Sequence, residues 1–252
     1  VYYNPFTSDL DGIRPVVCLK AGTLGAVEDT VSIIDVVTIP KSNPTLASQI
    51  TPDDYGKTIN YSANGVNDWK VFYNDGTNVY IIASNYLDMS VTPIDLATTK
   101  MIKGNGKYTV YWDLSIGTNI EVVGTLNNTS NWNAFASGKG GESATGGPTY
   151  EMLADSWNAN PKTNSITLNP TKSQDGLTDS TGLYIPHNSV IDNCYGYWLT
   201  SANSSYADHA FAMLYGGAVY YNPFTSDLDG IRPVVCLNKE VTGTVGYTIT
   251  ID

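Results

Sequence analysis

The sequence predicts an α+β fold of short, largely antiparallel strands with few helices and long loops. Three observations carry that expectation. WKVFYNDGTNVYIIAS (69–84) reads as a hairpin, with strands WKVFY and VYIIAS flanking a loop in which Gly76 supplies a positive φ. TYEMLADSWNAN holds the best helix, with Thr149 as its cap and Leu153 and Trp157 four apart on one face. Residues 196–237 then return to β patterning, broken by turn-rich stretches.

In chain order, residues 1–44 are expected to form an N-terminal strand arm or the end of a preceding repeat. Within them VSIIDVVTI is β-branched and stops at Pro40. A domain over 45–238 and a β tail over 239–252 follow. VTPIDLATTKMI (91–102) predicts a short helix near Pro93, and TSNWNAFAS another turn or two. SGKGGESATGG (137–147) and residues 160–182 read as loops, rich in Gly, Ser, Asn, Thr and Asp. YGYWLTS is a strand, NSSYAD a polar loop, and HAFAMLYGGAVYYN a hairpin turned at Gly216-Gly217. NPFTSDLDG is a further loop and IRPVVCL a closing strand.

One segment occurs twice. VYYNPFTSDLDGIRPVVCL stands at residues 1–19 and again at 219–237, identical throughout. Three explanations compete: a tandem array whose preceding domain ends at residue 19, a duplication in the sequence itself, and a strand donated to a neighbouring subunit. Against donation, a tethered home copy has a high effective concentration and normally wins the slot.

Composition narrows the function classes. Charged residues make up 15% of the chain, below the roughly 25% of ordinary soluble domains, and 18 tyrosines dominate the aromatics. Tyr offers rigid contact area with a polar tip, which suits recognition surfaces. The net charge of −11 repels phosphate backbones, so nucleic acid is not an expected partner. No apolar run is long enough to span a bilayer, so membrane insertion of this segment is not expected. With neutral polar residues throughout and neither an initiating Met nor a signal peptide, the expectation is a mature ectodomain, extracellular or at a cell surface. Of the three cysteines, Cys194 and Cys236 are a candidate disulfide, which leaves Cys18 odd; three reduced thiols are the rival reading.

YWLTS (197–201) followed some 30 residues later by GIRPVVCL (230–237) resembles the ending of bacterial surface domains with the C-type-lectin fold. This is the version shared by formylglycine-generating enzymes and by the variable proteins of diversity-generating retroelements. The resemblance covers roughly residues 50–238. It implies small twisted antiparallel sheets, two short helices, and long loops over one face that carry a ligand-binding patch. It makes Trp198 and Arg232 scaffold residues and places the patch in the window Ala202–Asp229. There the ligand-contacting candidates are Asn203, Tyr206, Asp208, His209, Tyr215, Tyr220, Tyr221, Asn222, Phe224 and Asp227. The expected partner is a host or cell-surface protein or a glycan, or the chain itself in an array or filament. The Glu-Pro-Asn, Gln-Pro-Asp and Trp-Asn-Asp triplets that hold calcium in sugar-binding members are absent, and no cofactor or metal is expected.

The residues themselves offer little catalytic chemistry. No HExxH, CxxC, GxSxG or P-loop pattern occurs. His187 and His209 read as hydrogen-bonded loop residues, and Asp208, Asp227 and Asp229 as solvated carboxylates. Arg232, beside a proline at the start of a strand, is expected to form an ion pair or to cap carbonyls. The expected function is binding or adhesion through the 202–229 face. The alternatives are a fibre subunit pairing through residues 27–39 and 241–251, and an enzyme of the formylglycine-generating type built on Cys194.

Overall fold

The computed structural model describes residues 44–159, 165–179, 181–185 and 190–252. The strand expected at 31–39, the first copy of the repeated segment, Cys18 and His187 lie outside the described residues. Residues Asn43–Asp252 form one compact unit, and the tail 239–252 belongs to it.

The chain enters through a single helical turn, α1 (Leu46–Gln49), and a short strand, β1 (Thr58–Ile59). The expected hairpin follows as β2 (Trp69–Asn74) and β3 (Val79–Ala83), with Gly76 at φ +88° in its turn. Asp75 organises that turn by accepting from the backbone N–H groups of Thr77 and Asn78. A four-residue helix, α2 (Leu96–Thr99), is capped by Asp95, which accepts from Ala97 and Thr98. It leads into β4 (Met101–Lys103) and β5 (Thr109–Trp112).

Next comes a helix that the sequence reading lacks, α3 (Asn119–Asn127). Its start is a capping box: Thr118 accepts from the Glu121 N–H, and Glu121 reaches back to the Thr118 N–H. Val122, Val123 and Leu126 form its buried face. The expected turns at 129–137 are α4 (Thr129–Trp132) and a 3₁₀ segment, Asn133–Ser137.

GESAT is not loop but strand, β6 (Gly141–Thr145). Of its residues only Thr145 favours a strand by itself; a neighbouring strand supplies the ladder. Helix α5 (Tyr150–Ala159) starts at Thr149, whose hydroxyl accepts from Met152, and buries Leu153 and Trp157 as the spacing requires. The β-rich end is β7 (Gly196–Ala202), β8 (His209–Leu214), β9 (Ala218–Pro223), β10 (Asp229–Gly230) and β11 (Val234–Leu237). The tail forms the hairpin β12 (Gly243–Thr244) and β13 (Thr250–Ile251).

Two larger sheets organise these elements. One runs β1-β2-β3-β11-β6 and the other β4-β5-β10-β7-β8-β9. All named pairings among the described residues are antiparallel except β7 with β10. The fold is therefore α+β, with mostly antiparallel sheets and few, short helices among the described residues. No described helix is long and apolar enough to cross a membrane.

The stretch 229–237 joins the sheets. Asp229 and Gly230 lie between β5 and β7, while Val234–Leu237 lie between β3 and β6. The buried link Ile231–Arg232–Pro233 crosses between them, its carbonyls accepting from Leu87 and Ala83. The repeated segment thus supplies interior strands to both sheets. The tail closes onto the entry strands: Leu46 donates to Val241, Asn60 to Ile249, and Ile249 and Ile251 are buried. Residues 241–251, expected to pair between subunits, make these bonds within their own unit.

Candidate functional site

The second sheet ends in the hairpin β8–β9, paired from His209↔Pro223 to Leu214↔Ala218. Ala210, Phe211, Ala212 and Met213 are all buried, so β8 is covered on both faces. Strand β9 is the outer strand, and its Tyr220 and Tyr221 reach the surface.

There the aromatic candidates meet. Tyr221 stacks on Tyr220 with ring centroids 5.0 Å apart and planes 10° from parallel. Tyr206 stacks on Tyr221 at 5.4 Å and 24°. His209 packs against both Tyr206 and Tyr221, at 5.1 and 5.7 Å. Phe211 backs the group from the core by an edge contact to Tyr221 at 6.3 Å. The end rings are the exposed ones, Tyr206 at 47% and Tyr220 at 39%. Burial, then the neighbouring phenols, push the Tyr221 hydroxyl up from its ordinary pKa, so the ring stays neutral. Asp208 accepts from or shares a proton with His209 Nδ1 at 2.7 Å, and this hydrogen bond, first among its causes of lowering, holds its carboxyl below the usual range.

A residue outside the candidate set fixes this loop. Asn119, buried at the first turn of α3, donates to the carbonyls of Asn203, Tyr206 and His209 at 2.7–2.8 Å. The Thr118–Glu121 box that encloses it was the available sequence signal, since it sets where α3 starts and thus where Asn119 sits on its first turn.

The other candidates divide. Asn203 is buried and holds the turn, accepting from the N–H groups of Ser205 and Tyr206. Phe224 is buried too and packs into the core rather than facing a ligand, its backbone bonded to Trp112 and Asp208. Asn222 turns its amide inward to Asp229 at 2.6 Å. Asp227 accepts from Asn105 at 3.0 Å, and Tyr215 pairs with Tyr195 at 5.7 Å, apart from the ring stack. The structure therefore brings together Tyr206, Asp208, His209, Tyr220 and Tyr221.

The scaffold residues are buried. Trp198 donates from Nε1 to Val110 at 3.2 Å and meets Trp112 edge-on. Arg232 caps carbonyls, donating to Ala83 (2.9 Å), Leu183 (2.8 Å) and Ser84 (3.4 Å), and lies 4.9 Å from the Tyr197 ring. The expected Cys194–Cys236 disulfide is not formed; both thiols are free. They belong to different sheets: Cys194 lies against Gly196 and Gly230 of the six-stranded one, Cys236 within β11 of the other. Burial, with the Asp229 carboxyl beside it, pushes the Cys194 thiol up to about 12, which leaves it protonated at neutral pH. Among the described residues no group of three or more His, Cys, Asp or Glu side chains is placed to hold a metal ion.

No family model, no curated protein and no solved structure matches the chain.

Proposed function

We propose that the chain is an extracellular binding module of C-type-lectin-like type that recognises a ligand through the β8–β9 surface. The observation that carries this is the contiguous, partly exposed stack of Tyr220, Tyr221 and Tyr206 with His209 and Asp208 at its margin. Rings that could have been buried are held at the surface by a rigid two-sheet scaffold, and their loop is pinned by Asn119. Rigid aromatic side chains on a fixed frame lose little entropy on binding. The lectin-like topology draws support from the tail hairpin closing onto the entry strands and from β11 lying inside its sheet.

Binding is favoured over formylglycine-type catalysis because Cys194, the residue that reading requires, is a buried and protonated thiol. The test is a binding screen of the whole chain against extracellular proteins and oligosaccharides, repeated with Tyr206→Ala/Tyr220→Ala. Two exposed rings removed together are expected to weaken a true ligand at least about tenfold while thermal stability stays unchanged. A ligand retained at full affinity by this variant would place recognition elsewhere on the molecule.

A further inference from the structure

We infer that the partner of the ring stack is an arginine-bearing segment of a protein rather than a glycan. This deepens the reading above and rests on it. The first observation is electrostatic. The window 202–229 presents Asp208 and Asp227, its third aspartate Asp229 being buried, and contains no lysine or arginine. The loop that bonds to Ser204 through Pro170 carries Lys172 and Asp175, which cancel formally. The surrounding chain is itself strongly acidic, at −11.

The second observation is geometric. Tyr221 lies between Tyr220 and Tyr206, so each end ring keeps one face clear of the stack, and these are the two exposed rings. A phenol face is the negative pole of the ring quadrupole and attracts a cation within about 6 Å of its centroid. Joined to the rings through His209, which packs on Tyr206 and Tyr221, is Asp208, its side chain 69% exposed and its Oδ1 engaged by His209. A guanidinium uses both features at once, since it stacks flat on an aromatic ring while donating in its own plane to a carboxylate. A neutral sugar would use the rings and leave the charge idle, and an anionic one would be repelled.

The test uses the whole chain, with fluorescence anisotropy of three labelled probes: an alternating Gly-Arg peptide, its Gly-Ala counterpart and a neutral β-linked glucose oligomer. The Gly-Arg peptide is expected to bind, and to weaken as salt rises. Tyr206→Ser, Tyr220→Ser and Asp208→Asn are each expected to weaken it about three- to tenfold. Asp53→Asn, an exposed carboxylate on the 3₁₀ turn Pro52–Asp54, should change nothing and so controls for bulk charge. Absence of binding by the Gly-Arg peptide overturns the inference. So does binding that is equally sensitive to Asp53→Asn and blind to the tyrosines. If the glucose oligomer binds in a Tyr206-dependent way and the peptide does not, the arginine inference fails and the reading of the face survives. A ligand bound independently of both tyrosines defeats the face itself.

Discussion

Arg232 and Asp229 stand three residues apart on the same crossover, both fully buried, yet no ion pair joins them. The interior treats the two charges differently. Arg232 finds three carbonyls and the Tyr197 ring, so its charge is solvated by fixed dipoles. Asp229 receives one hydrogen bond, from Asn222 to Oδ2, and its Oδ1 has no partner. Burial accordingly pushes its carboxyl up to about 7, against the smaller lowering by Asn222. Gly196 permits this close packing: a Cβ there would stand 2.9 Å from Asp229 Oδ1 and 2.4 Å from the Met213 carbonyl. One charge holds the crossover, and the other is eased by keeping its proton up to about pH 7.

The largest expected effect breaks the first half of that contrast. Arg232→Met leaves the carbonyls of Ala83, Leu183 and Ser84 without their donors in a dry interior. A loss of about 3–5 kcal/mol is expected, read as the shift in urea midpoint. Arg232→Lys should recover only part, because one ammonium cannot span three carbonyls and does not stack as a guanidinium does. A methionine variant within 1 kcal/mol of the parent would refute the anchoring role.

The second prediction addresses Asp229. Its folded pKa, about 7, lies above the roughly 4 of an unfolded aspartate. Below about pH 4 both states hold the proton and the group costs nothing. Between about 4 and 7 the unfolded chain releases the proton and the folded one keeps it, so stability falls as pH rises and levels off above 7. The total is on the order of a few kcal/mol. Asp229→Asn should flatten this profile and be the more stable protein at pH 8, measured by denaturation from pH 4 to 8. An unchanged slope in the variant would assign the pH dependence to other groups.

The difference between the two sites also marks what the sequence could convey. The hairpin at 69–84 was legible because Gly76 and the alternating strands act locally, and α5 because Leu153 and Trp157 share a face. The tyrosines gathered at the surface were legible as a window of composition. Strand β6 was not, since GESAT becomes a strand only by pairing with β11, some 90 residues later. The inward turns of Asn203, Asn222 and Phe224 were equally hidden, because a polar loop and a buried loop anchor have the same composition. Helix α3 was missed: its Thr118–Glu121 box and its spaced Val122 and Leu126 are helix signals, but the glycine and asparagines around them obscured the pattern. Arg232 beside Pro233 pointed to capped carbonyls or an ion pair, and only the structure decides between them.

The smallest effect sharpens the second half of the comparison. Asn222 donates the hydrogen bond to Asp229 that partly offsets burial, and through it β9 is tied to β10 by side chains as well as by the chain between them. Asn222→Ala removes that bond, at a cost of about 1 kcal/mol at neutral pH. Because the lost bond lowered the carboxyl, its pKa should rise further, and the fall in stability should extend to higher pH than in the parent. The two sites are coupled, so Asn222→Ala in an Asp229→Asn background should lack this extension, and the two costs should depart from additivity by 0.5 kcal/mol or more. Additive costs and an unmoved pH profile would mean that the 2.6 Å contact contributes nothing to holding Asp229, and that burial alone sets its proton.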